Sequence, residues 1–311
     1  MSAAGPSLLD AIGNTPLVEL RRVVPAGCAR VFIKLEYFNP TGSYKDRMAR
    51  SVIEGAESRG ALKPGMRVVE FTGGSTGSSL AMVCAVKGYR FAPVSSDAFA
   101  REKLETMRAM GADLILVPSD GGKITPALFD RMKAEIAKEA AQPDAFFADQ
   151  FHNDDVLEGY AGIAHELRAS LGDEMTAYCG AVGTGGMLMG VSRALKAAGS
   201  KARIVALEPA ESPAISTGKS GAHRVEGIGV GYWPPHLKKE AFDDIRVVAE
   251  ADARAMARRL AREEGILAGT STGLNVCGAI ELAKEIGPEG IVVTVAVDSG
   301  LKYLAGDLYT Q

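Results

Sequence analysis

The chain has 311 residues, of which 47% are hydrophobic and 23% are charged, and its formal net charge is −3. This length predicts about two domains of roughly 150 residues each. The weak negative charge without a basic block excludes the electrostatic footprint of a nucleic-acid-binding or membrane-surface protein. We find no apolar run long enough to span a bilayer and no secretory signal in residues 1–13, so we expect a cytoplasmic protein.

Cysteine and histidine usage gives no sign of a disulfide framework or a metal site. Cys28, Cys84, Cys179 and Cys277 are widely spaced and form no CxxC pair. The four histidines also lack the short spacing that zinc ligands show. We therefore expect buried, reduced cysteines in the core of a cytosolic protein, and no bound metal.

In chain order, the first half alternates short apolar runs with helical patterns. The predicted strands are residues 66–71, 91–95 and 114–117. The predicted helices are residues 45–59, 78–88, 101–111 and 125–141. Strands that alternate with helices at this spacing indicate βαβ units and a parallel sheet.

The same alternation returns in the second half. The predicted strands are residues 177–182, 203–207 and 291–297, and the predicted helices are residues 187–198, 251–264 and 274–286. Polar segments near 144–155 and 208–232 are expected to be irregular and to join or cover two sheet-centred halves. The sequence therefore predicts an α/β protein with two parallel-sheet α/β domains.

Lys45 lies in the run Asn39-Pro40-Thr41-Gly42-Ser43-Tyr44-Lys45-Asp46-Arg47. A lysine amine forms a Schiff base with an aldehyde cofactor when it is desolvated and positioned. The turn residues before Lys45 place it at the start of a helix, which fits that role. The alternative is a solvated lysine at a helix N-terminus.

A glycine loop, Gly183-Thr184-Gly185-Gly186, separates a predicted strand from a predicted helix. Its backbone N–H groups and the helix dipole can bind a phosphate without a basic side chain. The competing interpretation is a dinucleotide-binding loop, with Glu208 as the acid that binds the ribose. Leu188 stands where that fingerprint has its third glycine, which weakens the alternative.

Two further turns are rich in hydroxyl groups. The loop from Thr72 to Gly77 suits a carboxylate or phosphate, although an ordinary strand-to-helix turn is the alternative. Ser271 follows the predicted helix at 251–264. A serine facing a pyridine nitrogen leaves the ring unprotonated and favours prompt loss of a β-substituent. The alternative for Ser271 is a simple helix cap.

Taken together and in this order, the segments resemble the fold type II pyridoxal phosphate (PLP) enzymes, which have a tryptophan synthase β-like architecture. The resemblance is closest to the cysteine synthase (O-acetylserine sulfhydrylase) and cystathionine β-synthase family. It runs from Ile12-Gly13-Asn14-Thr15-Pro16-Leu17 to Asp298-Ser299-Gly300. It also includes Lys-Leu-Glu at 34–36, Asp-Gln-Phe at 149–151, Glu226-Gly227-Ile228-Gly229-Val230-Gly231-Tyr232 and Glu-Gly-Ile-Leu-Ala-Gly at 264–269.

The resemblance implies a role for each matching residue. Lys45 is then the Schiff-base lysine and the base that moves the α-proton, and Ser271 meets the pyridine nitrogen of PLP. The remaining implied contacts are with the phosphate (Gly183, Thr184, Gly185, Gly186, Met187), with the cofactor (Ser75), with the substrate carboxylate (Thr72, Gly73, Gly74, Ser75, Thr76, Gln150), and along the substrate cleft (Gly227).

The resemblance also implies an activity and an architecture. The expected reaction is β-replacement on an activated serine with a sulfur nucleophile; the alternative is a β-eliminating lyase, such as a cysteine desulfhydrase or a serine or threonine deaminase. A smaller mobile domain at 39–148 is expected to be inserted in a larger domain of 1–38 plus 149–311, with PLP between them. A homodimer is expected, and serine acetyltransferase is a candidate partner.

Several positions depart from the family pattern, including the run His152-Asn153-Asp154-Asp155, which replaces the usual family run after Gln150-Phe151. The substrate loop of cysteine synthases usually reads Thr-Ser-Gly-Asn-Thr-Gly, whereas Gly73 and Ser75 replace the serine and the asparagine here. Met187 replaces a phosphate-loop threonine, and Tyr44 replaces a small aliphatic residue. We expect PLP binding to survive because the backbone loop remains. We also expect Gly73 and Ser75 to enlarge the substrate pocket and to alter substrate choice.

Overall fold

The computed structural model describes residues 5–123 and 125–310. The chain divides into two compact units. The first contains the described part of residues 1–12 together with Lys45–Gly159, and the second contains Gly13–Tyr44 together with the described part of residues 160–311. The boundaries that the sequence suggests, 1–38 with 149–311 and 39–148, stay a prediction.

The first unit is built on a four-stranded parallel sheet. Its strands are β3 (Arg67–Phe71), β4 (Arg90–Ser96), β5 (Ile115–Val117) and β6 (Ala145–Phe147), in the spatial order β5-β4-β3-β6. Its helices are α1 (Lys45–Ser58), α2 (Ser75–Lys87), α3 (Arg101–Ala109) and α4 (Pro126–Ala140). The α4 helix packs on the sheet through Leu128, Met132 and Ile136, which share a core cluster with β3 and β4.

The second unit is built on a six-stranded sheet. Its strands are β1 (Leu17–Leu20), β2 (Arg30–Leu35), β7 (Ala177–Ala181), β8 (Arg203–Pro209), β9 (Asp244–Val248) and β10 (Ile291–Ala296). The spatial order is β1-β2-β10-β7-β8-β9, and every pair is parallel except β1 with β2. The central strands β7 and β10 are buried along their whole length, which is typical of a parallel sheet covered on both faces.

Five further α-helices lie in the described residues. They are α5 (Asp155–Leu171), which begins in the first unit and continues in the second, α6 (Gly186–Ala197), α7 (Ala214–Thr217), α8 (Glu250–Arg259) and α9 (Thr270–Ile286). A π-helical turn, Leu260–Glu264, extends α8. None of the helices in the described residues is both long enough and apolar enough to cross a bilayer.

The structure confirms the predicted α/β class with parallel sheets, and it corrects several local predictions. Residues 144–155 are not wholly irregular, because β6 lies inside them and pairs with β3. The segment 208–232 contains α7. Helices α2 and α9 begin at Ser75 and Thr270, three and four residues before their predicted starts. Glycine supplies the N-cap of both helices, so side-chain patterns did not mark these starts.

Candidate active site

Lys45 is the first residue of α1, and only 8% of it is exposed. The next two residues, Asp46 and Arg47, are also buried. The Ser79 hydroxyl donates a hydrogen bond of 2.6 Å to Asp46 Oδ1, which fixes the first turn of α1 against α2. Such burial is inconsistent with the alternative of a solvated surface lysine. It provides the desolvated amine that Schiff-base chemistry needs.

The first unit brings Gln150 to the loop that begins at Thr72. This loop follows the carboxyl end of β3, and Gln150 follows the neighbouring strand β6. Thr76 Oγ1 donates to Gln150 Oε1 at 2.8 Å, and Gln150 Nε2 donates to the carbonyl of Phe71 at 3.4 Å. The residues that were predicted to receive one substrate carboxylate therefore lie together. Their role towards a substrate stays a prediction.

A buried carboxyl that the sequence analysis missed organises this region. Glu70 is fully buried in β3, and its two oxygens accept the backbone N–H groups of Phe71 (2.9 Å) and Gln150 (3.0 Å). The pKa of Glu70 is raised to about 8, because burial, with a smaller contribution from Asp149, outweighs the lowering by the two N–H groups and by Lys45. The available signal was a glutamate inside a largely apolar predicted strand, because a buried carboxyl group needs hydrogen-bond partners.

The amino end of α2 forms the second half of the loop. Ser75 and Thr76 lie in the first helical turn rather than in the loop before it. The N–H groups and the dipole of this turn favour a negative charge. Lys103 is also buried, and its Nζ lies 3.9 Å from the point where a Cβ on Gly74 would stand. The loop thus combines N–H groups, hydroxyls and a nearby cation, which suits a carboxylate.

The structure contradicts the expectation that Gly73 opens space in the loop. A Cβ built on Gly73 would lie 2.2–2.4 Å from three atoms of the Phe99 ring. The volume that a serine side chain would take is therefore filled by an aromatic ring. The sequence alone could not show this, because residue 99 lies beyond the next strand and only the fold brings it to the loop.

The glycine loop of the second unit joins the carboxyl end of β7 to the amino end of α6. A Cβ on Gly183 would lie 2.5 Å from the carbonyl oxygen of Gly227. Gly185 is the N-cap of α6 and has φ +85°, a conformation that L side chains rarely adopt. The loop therefore requires glycine at these positions. Its backbone packs directly against Gly227, at the N-terminus of α6.

Met187 lies in the first turn of α6 and is buried. Its sulfur accepts a hydrogen bond of 3.0 Å from the Tyr178 hydroxyl, and its methyl group fills the space beside Gly180. The side chain thus serves the core of the second unit. Any contribution of Met187 to phosphate binding would come from its backbone N–H.

Ser271 lies in the first turn of α9 and is buried, not in the loop where the sequence placed it. Thr272 Oγ1 accepts the N–H of Val297 at 3.0 Å, at the carboxyl end of β10. Since β10 and β7 are parallel neighbours, the Ser271 turn and the Gly183 loop lie at the same edge of one sheet. Ligands of open α/β sheets bind at this edge.

The whole chain is similar to known PLP-dependent enzymes. The model of a family described as "Pyridoxal-phosphate dependent enzyme" matches residues 8–298. The chain belongs to this family of PLP-dependent enzymes. Over 310 residues it is 41% identical to a cysteine synthase of Staphylococcus aureus (strain Mu50), with 98% of the chain and 97% of the relative covered.

Solved structures of the same family share the whole fold. A cysteine synthase from Entamoeba histolytica has a TM-score of 0.91 at 34% identity, covering 100% of this chain and 94% of the other. An O-ureido-L-serine synthase has a TM-score of 0.89 at 37% identity, covering 99% and 96%. A hydrogen sulfide-producing enzyme from Fusobacterium nucleatum has a TM-score of 0.88 at 34% identity, covering 98% and 99%.

The residues present fit PLP and do not fit a dinucleotide. The Gly183 loop offers backbone donors in a place where a side chain would collide with Gly227, as a phosphate-binding loop requires. The carboxylate of Glu208 accepts the N–H groups of Ile215 (2.8 Å) and Ser216 (2.9 Å), so it is engaged with the backbone of α7 rather than poised for a ribose. Within residues 5–123 and 125–310, no cluster of His, Cys, Asp or Glu could hold a metal ion.

Proposed function

We propose that this PLP-dependent enzyme catalyses β-replacement on an O-acetylserine-like activated serine, with a sulfur nucleophile, as a cysteine synthase does. The observation that carries the proposal is the buried amine of Lys45 at the start of α1, in a chain that aligns with cysteine synthases over almost its whole length. The Thr72 loop with Gln150 supports it, because this group suits the α-carboxylate of an amino acid.

Each predicted site residue has a proposed role. Lys45 attaches the cofactor covalently and carries the α-proton. Gly183, Thr184, Gly185, Gly186 and the N–H of Met187 hold the phosphate, and the Ser271 hydroxyl faces the pyridine nitrogen. The substrate carboxylate is held by backbone N–H groups and hydroxyls of Thr72, Gly73, Gly74, Ser75 and Thr76 and by Gln150. Ser75 also faces the cofactor, and Gly227 flanks the substrate.

Bound PLP supplies an electron sink for negative charge at the α-carbon. The chain's own residues orient the amino acid and move one proton. The carboxylate contacts fix the α-carbon, and Lys45 Nζ removes its proton. The bond from the β-carbon to oxygen then breaks, and acetate leaves with the bonding electrons. A thiol or sulfide forms the new bond to the β-carbon and releases its proton, and Lys45 returns a proton to the α-carbon.

The test is the substitution Lys45→Ala. We expect the purified variant to lose the visible absorbance of covalently bound PLP and all turnover of O-acetylserine with sulfide, while the wild type forms cysteine. Far-UV circular dichroism of the variant checks that the fold is kept. An unchanged cofactor spectrum in Lys45→Ala would refute the assignment of this lysine.

A second candidate is a β-eliminating lyase, which the similarity to a hydrogen sulfide-producing enzyme favours. Elimination uses the same residues up to the departure of the β-substituent. It differs in the product, which is ammonia with an oxo acid instead of a new amino acid. Product analysis of the wild type with cysteine alone, and with O-acetylserine plus sulfide, separates the two reactions.

We further propose that the enzyme is a cytoplasmic homodimer and that serine acetyltransferase is a partner. The resemblance to cysteine synthases motivates these assignments. Light scattering of the purified protein at a monomer mass would refute the dimer. Absence of binding between the Lys45→Ala protein and a C-terminal peptide of the acetyltransferase would refute the partner.

A further inference from the structure

The Phe99 ring lies directly on the backbone of Gly73, in the loop proposed to hold the substrate carboxylate. Three ring atoms stand within 2.4 Å of the point that a Cβ on Gly73 would take, whereas real Cβ atoms essentially never have a contact under 3.0 Å. Gly73 is not among the glycines with positive φ, so its backbone conformation does not require glycine. A side chain at position 73 therefore requires the Phe99 ring to move.

A hydrogen-bonded turn holds Phe99 in this place. The N–H of Phe99 donates to the carbonyl of Ser96 at 3.2 Å, and Ser96 Oγ donates to Asp97 Oδ1 at 3.1 Å. Asp97 also accepts the N–H of Ser119 at 2.8 Å, and hydrogen bonds from Ser119 hold the pKa of Asp97 below its usual value. The ring packs on the core cluster that includes Val94. The turn positions the backbone of Phe99, and the partly buried ring packs between the core cluster and the loop.

The remaining polar groups of the loop are partly engaged within the protein. Thr72 Oγ1 accepts the N–H of Gly74 at 3.2 Å, and Thr76 Oγ1 donates to Gln150. Other aromatic rings flank the same residues, since Phe71 and Phe151 stack with ring centroids 5.9 Å apart. Phe71 immediately precedes the loop and Phe151 immediately follows Gln150. Compared with the usual cysteine synthase loop, this loop lacks the hydroxyl of a serine at position 73, and aromatic side chains flank it.

We propose that Gly73 and Phe99 form one specificity-determining pair. Phe99 occupies the place of the serine hydroxyl in the usual cysteine synthase loop. The ring therefore favours an apolar nucleophile, such as an aryl thiol, as the group that replaces acetate at the β-carbon. This inference rests on the proposed β-replacement function and names its substrate class. An aromatic ring stacks favourably on an aryl group, whereas it gives no hydrogen bond to a carboxylate or to hydrosulfide.

The pairing is tested first without any substrate, by a double-mutant cycle on thermal unfolding. Gly73→Ser inserts a side chain into the ring and should lower the Tm by about 2–6 °C. Combined with Phe99→Ala, the same serine should lower the Tm much less, because the ring is gone. Gly74→Ser is the matched control: a Cβ on Gly74 has no contact closer than 3.9 Å, so this change should not couple to Phe99→Ala. Additive Tm shifts for Gly73→Ser and Phe99→Ala would refute the pair.

The substrate class is tested by steady-state kinetics with O-acetylserine and either benzenethiol or sulfide. In both reactions a carbon–sulfur bond replaces the carbon–oxygen bond, acetate leaves with the bonding electrons, and the thiol proton passes to solvent. Phe99→Ala should lower kcat/KM for benzenethiol about tenfold relative to sulfide, mainly through KM. Phe129→Ala, which removes a partly exposed ring on α4, is the control for ring loss as such.

The double variant Gly73→Ser/Phe99→Ala restores the usual loop hydroxyl and should shift preference towards sulfide further than Phe99→Ala alone. Failure of the inference is distinguishable from failure of the proposed function. If the wild type consumes neither thiol with O-acetylserine, the β-replacement function fails. If the wild type turns over and the benzenethiol-to-sulfide ratio is the same in all variants, the function stands and the specificity pair is refuted.

Discussion

Several glycines of the two proposed ligand loops are required for different physical reasons. Gly185 has a left-handed φ that only glycine adopts at little cost. Gly73 and Gly183 have no such φ, and each leaves room for a specific neighbour. Sequence alone shows that glycines cluster in these loops. It cannot show which neighbour each glycine accommodates, because the neighbours are distant in the chain.

The close approach of Gly183 to Gly227 leads to a prediction about cofactor binding. In Gly183→Ala the new methyl group meets the Gly227 carbonyl oxygen at 2.5 Å, so the loop backbone must move. Strain of roughly 1–3 kcal/mol in the bound geometry corresponds to a loss of about 5- to 150-fold in PLP affinity. Titration of the apoprotein with PLP, followed by absorbance, measures this loss.

Gly306→Ala is the matched control for the Gly183 variant. A Cβ on Gly306 has only an ordinary contact of 3.6 Å, and Gly306 has no positive φ. Its PLP affinity should equal that of the wild type. Equal PLP affinity in Gly183→Ala would show that the loop tolerates a side chain, which would count against its phosphate-binding role.

At the scale of elements, one buried side chain joins three of them at the edge of the larger sheet. Asn275 of α9 accepts the N–H of Ala181 in β7 at 2.8 Å and donates to the carbonyl of Val295 in β10 at 2.9 Å. The helix that carries Ser271 is thereby tied to both central strands. The sequence analysis missed Asn275, since a single amide inside an apolar helical pattern gives no sign of its partners.

We predict that Asn275→Ala destabilises the protein markedly. The substitution leaves one buried N–H and one buried carbonyl without a partner, and each loss costs about 1–3 kcal/mol. The free energy of unfolding should therefore fall by about 2–6 kcal/mol, measured by urea denaturation. Glu281→Ala, on the exposed face of the same helix, should leave it nearly unchanged. Equal stability of the two variants would disprove the role of the Asn275 hydrogen bonds.

The bounds of elements with a long apolar or amphipathic pattern were predictable from the sequence, whereas the short strand β6 was missed. The buried runs of β7 and β10 and the helix of α4 come within two residues of their predicted bounds, because burial or amphipathicity extends along their full length. Strand β6 has only three residues and owes its conformation to pairing with β3. Its short run carries too little periodicity to predict a strand, although it positions Gln150.

At the scale of the whole molecule, the sequence was sufficient for the class of fold and for the family. The alternation of strands and helices predicted the parallel sheets, and the order of the motifs predicted a PLP-dependent enzyme. The coupling between distant residues was not predictable. Phe99 against Gly73, Asn275 across β7 and β10, and Glu70 with Gln150 all join positions that only the folded chain brings together.

Glu70 makes the stability of the whole protein depend on pH. Its pKa is raised to about 8 by burial, whereas an exposed glutamate has a pKa of about 4.5. Between these values the folded state keeps a proton that the unfolded state has released. The contribution of Glu70 to the free energy of unfolding is therefore complete below pH 4.5, declines as pH rises towards 8, and is lost above it. The slope reaches about 1.4 kcal/mol per pH unit in this window.

Glu70→Gln removes this titration. The free energy of unfolding of the variant should therefore lack the decline that Glu70 causes between pH 4.5 and 8. We expect the free energy of unfolding of the wild type, minus that of the variant, to fall steadily between pH 5 and 8 and then to level off. Urea denaturation across this range measures the difference, which cancels the titration of all other groups because both proteins share them. A difference that stays constant from pH 5 to 8 would mean that Glu70 has the pKa of an exposed acid. In that case the hydrogen bonds from Phe71 and Gln150 outweigh burial, and the carboxylate that holds Gln150 beside Thr76 is charged throughout.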